Sequence, residues 1–247
     1  MKVFYFSGSG NSLAVAKQIG GEDVINMAVC CQKEFKDDSI GFVFPVYCYD
    51  IPFVMRNFLK SVKFDAKYIW AVATCGSSVG YSFKTVDKLL KKQGRALNYC
   101  KKIVLPDSCI AFKTPPYKQK AMLESQNRIV KEIKEDLLNK KILAVTKDKP
   151  FAVNKIAWWG MKYILGAKFK KVNDNCNKCG VCVDICPVNN IKMLDKPIFN
   201  NKCEYCFACI QWCNQRAIEF GKLKIDDLSK YTHPIISVKE MIKRNNI

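Results

Sequence analysis

The sequence has 247 residues, a length that allows one large domain or two modest ones, and 49% of them are hydrophobic, which excludes a disordered chain. The formal net charge of +19 at pH 7 favours acidic proteins, anionic membrane surfaces or nucleic acid as partners. No run of 18 apolar residues occurs and the N-terminus lacks the apolar region of a signal peptide, so we expect neither a membrane-spanning helix nor secretion.

Residues 1 to 145 alternate between strand and helix patterns, which predicts a doubly wound α/β domain with a five-stranded parallel sheet. The predicted strands are residues 3–6, 23–27, 40–45, 68–73 and 97–105. One helix, with Leu13, Ala16 and Ile19 inward, is expected to end at Gly20 and Gly21, and a second to begin at Pro52. Two further helices are predicted at 81–94 and 116–139.

A polar loop follows the first predicted strand, and it is the first motif that indicates chemistry. Glycine allows backbone N–H groups to approach a phosphate closely, and a helix N-terminus attracts anions. The loop has no lysine of a Walker motif and lacks the glycine spacing of a dinucleotide site, so a monophosphate suits it best. A plain turn with a helix cap is the alternative. The candidate phosphate-binding residues are Ser7, Gly8, Ser9, Gly10, Asn11 and Ser12.

This loop, placed after an N-terminal strand, resembles the phosphate loop of flavodoxins, which bind FMN. The resemblance implies a flavodoxin-like fold in which the loops after the third and fourth strands hold the flavin ring. Tyr47 or Tyr49 would stack on the ring, and backbone groups from Gly76 to Ser78 would meet its edge. The candidate ring-binding residues are Pro45, Val46, Tyr47, Tyr49, Thr74, Cys75, Gly76, Ser77, Ser78 and Tyr81.

Residues 140–171 contain nine lysines and one acidic residue, Asp148. Val153, Ile156, Trp159, Ile164 and Leu165 roughly fit a helical apolar stripe. We interpret the segment as an amphipathic linker packed across two domains, with a surface for a membrane or a protein partner as the alternative.

A cysteine pattern occurs twice in the last third of the chain, and the second copy lies 27 residues after the first. In each copy two residues separate the first three cysteines and three residues precede the fourth. This spacing is typical of ferredoxins with two 4Fe-4S clusters, in which the fourth cysteine of each run binds the other cluster. Zinc sites and disulfides are the alternatives, and both fit this repeated spacing poorly. We therefore assign cluster one to Cys176, Cys179, Cys182 and Cys213, and cluster two to Cys203, Cys206, Cys209 and Cys186.

Pro187 follows the fourth cysteine of the first run, as in ferredoxins, but Asn214 takes that position in the second run. The change restores a backbone N–H, which we expect to lie near cluster one. The only histidine, His233, precedes Pro234 and is interpreted as structural. Ser237 and Glu240 form a capping box that predicts a short C-terminal helix.

The order of the two modules resembles a family of fused flavodoxin–ferredoxin proteins common in anaerobes, and the likeness includes the Tyr-x-His-Pro-x-Ile phrase at 231–236. It implies an FMN-binding domain at 1–145, a partly helical linker at 146–171, a ferredoxin domain at 172–222 and a tail at 223–247.

The cofactors implied by both motifs, FMN and two 4Fe-4S clusters, suggest a relay of electrons that ends in reduction of an unknown acceptor. The alternative is a pure electron carrier between protein partners. With these cofactors the net charge is still about +13, which favours an acidic redox protein as partner. No nucleic-acid recognition module is visible. The six other cysteines are scattered, which suggests reduced thiols in a cytoplasm.

Overall fold

The computed structural model describes residues 1–145, 151–164, 170–221, 223 and 225–245. Its N-terminal half contains a five-stranded sheet in which every neighbouring pair is parallel. The elements of this half are β1 Lys2–Tyr5, α1 Asn11–Gly20, β2 Ile25–Asn26, β3 Glu34–Lys36, β4 Ser39–Pro45, α2 Phe53–Ser61, β5 Lys63–Asp65, β6 Tyr68–Cys75, α3 Ser82–Lys91, β7 Tyr99–Val104 and α4 Pro116–Leu138.

The strand order across the sheet is β2-β1-β4-β6-β7, which confirms the predicted α/β class with five parallel strands. Numbered among themselves, these five strands have the order 2-1-3-4-5. The chain adds β2 on one side of β1 and the other three strands on the opposite side, so the strand order reverses at β1. All eight residues of β6 are buried, as expected for a central strand covered on both faces. Helices α1 and α4 pack together, and so do α2 and α3, so the sheet has two apolar layers.

A second, two-stranded parallel sheet joins β3 to β5 and was not predicted from the sequence. Both strands are only three residues long, and only their central residues, Phe35 and Phe64, are buried. These rings pack against Phe4. Three-residue strands with a single apolar position are too short to give a periodic signal.

The C-terminal half folds as two similar units whose helices and strands recur with the 27-residue offset of the cysteines. Strand β8 pairs antiparallel with β11, and β9 pairs antiparallel with β10. Because β8 begins at Lys170, this pairing extends two residues before the ferredoxin boundary predicted at 172. The elements are α5 Phe151–Trp159, a π-helical turn Gly160–Ile164, β8 Lys170–Val172, α6 Val181–Asp184, β9 Ile191–Met193, β10 Pro197–Phe199, α7 Ala208–Gln211, β11 Ile218–Phe220, a 3₁₀ turn Asp227–Ser229 and α8 Val238–Asn245.

The tail returns to the N-terminal domain and ends in α8, the helix that the capping box predicts. The Glu240 N–H donates to Ser237 Oγ at 3.1 Å, as the capping box requires. The Glu240 carboxylate pairs with Lys17 of α1 at 2.8 Å, which ties the two helices together. Within the described residues, no helix is both long enough and apolar enough to cross a membrane.

Candidate functional site

A cavity of about 710 Å³ lies where the central strands of the large sheet end. Its walls come from the loops that follow β1, β4, β6 and β7, which is where ligands bind in open α/β sheets. Of the sixteen residues predicted to bind a phosphate or a ring, Gly10 and Tyr81 are the two absent from this lining. The predicted residues that line it are Ser7, Gly8, Ser9, Asn11, Ser12, Pro45, Val46, Tyr47, Tyr49, Thr74, Cys75, Gly76, Ser77 and Ser78.

The start of α1 presents unpaired backbone donors beside this cavity. Gly10 precedes the helix with φ of 97°, a left-handed conformation that favours glycine, and its N–H donates to Ser7 Oγ at 3.1 Å. The first backbone acceptor used by the helix is the Gly10 carbonyl, which binds the Ala14 N–H. No described residue accepts from the N–H groups of residues 11–13, so this end can bind an anion.

Asn11 was expected to donate to a phosphate, but its side chain has structural partners instead. Its Nδ2 donates to the Pro106 carbonyl at 3.0 Å, and its Oδ1 accepts from the Tyr231 hydroxyl at 2.9 Å. Ser12 Oγ lies 2.8 Å from Thr74 Oγ1, which links the start of α1 to the end of β6. The hydroxyl groups of Ser7 and Ser9 are therefore the side-chain donors best placed for a ligand.

The Tyr-x-His-Pro-x-Ile phrase lies against the phosphate loop, a role that the sequence did not reveal. The His233 N–H donates to the Ser9 carbonyl at 2.8 Å. Its Nε2 lies 3.0 Å from Gln126 Oε1, and its Nδ1 has no hydrogen-bond partner among the described residues. Burial lowers the pKa of His233 from 6.5 to about 4. The ring is thus a neutral structural group, as predicted.

The loops after β4 and β6 contact one another at the other end of the cavity. The Tyr81 N–H donates to the Tyr49 carbonyl at 2.8 Å, so Tyr81 supports the loop but does not line the cavity. Burial raises the pKa of Tyr47 well above its usual value, and the ring contacts Phe6 edge to face at 6.3 Å. Tyr47 therefore offers a neutral aromatic surface to a ligand.

Four cysteines from both runs surround a smaller cavity of about 20 Å³ near the protein surface. They are Cys176, Cys179, Cys182 and Cys213, the four that the sequence assigns to cluster one. Burial, together with a smaller effect of the other three thiols, raises the pKa of Cys182 to about 11. The fourth cysteine beside this cavity thus comes from the second run, as the crossed assignment expects.

The thiols assigned to cluster two are also neighbours. Burial raises the pKa of Cys206 well above its usual value, and the thiols of Cys209, Cys203 and Cys186 add to that shift. No group of three or more His, Cys, Asp or Glu among the described residues is spaced to hold a single metal ion. Ligands of a cubane stand farther apart, because each thiolate binds a different iron.

Backbone N–H groups point at the cysteine sulfurs in both units, at positions related by the 27-residue repeat. Asn190 donates to Cys186 Sγ at 3.2 Å, and Ala217 donates to Cys213 Sγ at 3.4 Å. The donor expected from Asn214 is thus supplied by Ala217, and the Asn214 side chain is exposed.

The cysteine loop of the second run forms part of the wall of the large cavity. Tyr205 and Phe207, which flank Cys206, both line it. The Cys206 carbonyl lies so close to Gly8 that a Cβ on Gly8 would stand 2.4 Å from it. The Trp212 indole N–H also donates to the Gly8 carbonyl at 2.9 Å. The loop after β1 and the loop that carries Cys206 are therefore in direct contact.

Glu204 forms a further contact between the two halves. Its carboxylate oxygens each lie 3.2 Å from the Val54 N–H, in the first turn of α2, where a helix attracts negative charge. Burial raises its pKa to about 7, an effect that the N–H groups of Val54 and Phe53 reduce.

Helix α5 covers the cavity with a different face from the predicted one. Asn154 donates to the Cys48 carbonyl at 2.8 Å, and Trp158 stacks on Phe53 with ring centroids 4.9 Å apart. The predicted stripe is wrong at Ile156 and Trp159, which are 68% and 57% exposed, and Leu165 lies outside the described residues. The prediction failed because it took the most apolar face of the helix as the buried one, and residues that face a cavity need not be the most apolar.

Residues 169–192 match the family model of the 4Fe-4S binding domain, which covers the first cysteine run. The chain therefore carries a ferredoxin-like iron–sulfur domain with at least one 4Fe-4S cluster, in keeping with a role in electron transfer. No curated protein matches the chain.

Sequence reasoning missed several parts of the cavity wall, including Lys118 and Met122 of α4. The segment 106–115 after β7, helix α5 and the aromatic residues next to Cys206 all line it. The first follows a strand end, a position from which its role could have been expected. The other two come from distant segments and carried no local signal.

Proposed function

We propose that this protein is an iron–sulfur flavoprotein that relays electrons between two 4Fe-4S clusters and FMN, in a ferredoxin-linked reduction of an acceptor. The observation that carries the proposal is the direct contact of the Cys206 loop with the phosphate loop at Gly8. A cluster held by that loop would lie beside whatever the cavity binds.

The residues of the cavity fit FMN. Unpaired N–H groups at residues 11–13 and the hydroxyls of Ser7 and Ser9 would hold the phosphate. Tyr47, Tyr49 and the backbone of Gly76 to Ser78 would hold the ring. The strand order supports this choice, because 2-1-3-4-5 is the flavodoxin-like order with its ligand at the switch point. FMN would supply the exchange between one-electron and two-electron chemistry.

The two cysteine sets differ in their exposure, which suggests the order of the relay. Cys179 of cluster one is exposed, whereas Cys206 of cluster two is buried between two residues that line the cavity, Tyr205 and Phe207. Electrons from an acidic redox protein would enter at cluster one and pass through cluster two toward the cavity.

Anaerobic reconstitution with iron, sulfide and FMN tests the proposal. The expected product contains eight iron atoms and one FMN per chain, and reduction of its clusters by a ferredoxin also reduces the flavin. A reconstituted chain that holds both clusters and excludes FMN would overturn the flavin assignment. Electron transfer to protein acceptors alone, with no small molecule reduced, would identify the protein as a pure carrier.

A further inference from the structure

Asp107 places a carboxyl group in the cavity wall, after the end of β7. Of the described residues that line the cavity, it is the one with an acidic side chain. The charged residues Lys113 and Lys118 also line it, and Lys113 already pairs with Asp226. The roles proposed for the phosphate loop and for the cysteine loops do not involve the carboxyl group of Asp107.

One oxygen of this carboxyl group is fixed and the other has no hydrogen-bond partner. Oδ1 accepts the Cys109 N–H at 2.8 Å, and the Asp107 N–H donates to Thr114 Oγ1 at 3.0 Å. No described residue forms a hydrogen bond to Oδ2. The carboxyl group is thus held in one orientation, with an oxygen available to a ligand.

The free oxygen lies against the loop after β6. A Cβ on Gly76 would stand 2.4 Å from Asp107 Oδ2, so the carboxyl group packs directly on the Gly76 backbone. That loop is the one assigned to the edge of the flavin ring. Burial also raises the pKa of the Asp107 carboxyl above its usual value, which favours the protonated form that a proton donor needs.

We propose that Asp107 is the proton donor for two-electron reduction of a conjugated carbonyl compound in this cavity. The inference rests on the proposed function, because the electrons come from reduced flavin. A hydride from the flavin forms a new C–H bond as the carbon–carbon π bond breaks, and the electron pair moves toward the carbonyl oxygen. Asp107 then gives its proton to the product and is protonated again by water.

One part of the wall is apolar and aromatic, which suits a planar apolar acceptor. Val46, Met122 and Phe207 line the cavity, together with Phe112 and Trp158. These side chains favour a ligand with an apolar ring, and Asp107 is the acid that would polarise the carbonyl group of that ligand. A conjugated ketone combines these two features.

The test compares FMN-loaded wild type with the Asp107→Asn variant, using 2-cyclohexen-1-one as acceptor and a reduced ferredoxin as donor. Ferricyanide serves as a second acceptor, because it takes one electron and no proton. Loss of a general acid should slow enone reduction by about 100-fold or more and leave ferricyanide reduction unchanged. Asp107→Glu should restore part of the enone rate, and the exposed Asp38→Asn should behave as wild type.

An infrared measurement gives a readout apart from activity. The carbonyl band of the protonated Asp107 carboxyl should persist to higher pH than that of an exposed aspartic acid, and it should be absent from Asp107→Asn. Equal loss with both acceptors, an unchanged enone rate, or the lack of this band would overturn the role of Asp107. A wild type that reduces ferricyanide but no enone would overturn the substrate class and leave the relay standing. A chain that binds no FMN would instead refute the proposed function.

Discussion

Replacing Ser9 by aspartate should weaken binding of FMN but not of riboflavin, which lacks the phosphate. Ser9 is only 3% exposed and lines the cavity, and no described residue forms a hydrogen bond to its hydroxyl. Its carbonyl holds the His233 N–H, so the backbone around it is fixed. A carboxylate at this position would face the bound phosphate.

The size of the effect follows from Coulomb's law. Two unit charges 4 Å apart repel by about 1 kcal/mol in water and about 4 kcal/mol at an effective dielectric constant of 20. An intermediate value of about 2 kcal/mol corresponds to about 30-fold weaker FMN binding. Ser9→Ala removes a hydrogen bond to a charged group, which is worth about 1.5 kcal/mol or more, so it should weaken FMN binding about tenfold.

Fluorescence titration of the apo-flavin protein with FMN and with riboflavin provides the assay. Ser77→Asp is the matched control, because it adds the same charge to the same cavity at an exposed residue far along the sequence from α1. It should change the affinities for both flavins alike. If Ser9→Asp weakens both flavins equally, or neither, the phosphate does not bind at this loop.

Three further predictions concern the tail and the clusters. Gly10→Ala should lower the free energy of unfolding in urea by more than Gly21→Ala does. Both glycines have positive φ, but only a Cβ on Gly10 meets His233 and Ile236, each at 3.1 Å. Equal losses of stability would contradict this contact. Cys186→Ala should remove the electron paramagnetic resonance signal of cluster two, and Cys213→Ala should remove that of cluster one. A wild-type chain whose iron content saturates near four atoms would refute the two-cluster assignment. The folded-state pKa of His233 is about 4, below its usual 6.5, so its contribution to stability is present above pH 6.5 and is lost as the pH falls toward 4. Over this range the free energy of unfolding of the wild type should fall by about 3 kcal/mol more than that of His233→Gln. Parallel pH curves for the two proteins would contradict the burial argument.

The sequence was sufficient for the features that repeat or alternate. Fixed cysteine spacing predicted which thiols become neighbours, because a ligand loop is local and the repeat supplies its partner. The sheet was predictable because β4 and β6 are continuous apolar runs between turn signals.

Features that depend on contacts between distant segments were not predictable. Asn11 looked like a phosphate ligand until the structure placed Pro106 and Tyr231 beside it. Helix α5 contains apolar residues on several sides, so its periodicity did not show which face meets the cavity. Asp107 follows a strand end with no surrounding motif, so only the fold shows that it lies against Gly76 in the cavity wall.

Fusion of the two modules has a consequence for the proposed relay, because two separate segments of the C-terminal half contact the loop after β1. In one contact, Gly8 touches the Cys206 loop and receives the Trp212 hydrogen bond. In the other contact, the tail that follows the cysteine repeat binds Ser9 through His233. A separate ferredoxin would have to find this surface by diffusion and would pay the entropy of association at each encounter. Within one chain the encounter is intramolecular, so in the proposed relay the transfer from cluster two to the cavity would not depend on protein concentration. The cysteine loop can then serve as part of the wall of the binding site, which a partner that dissociates after each electron could not do.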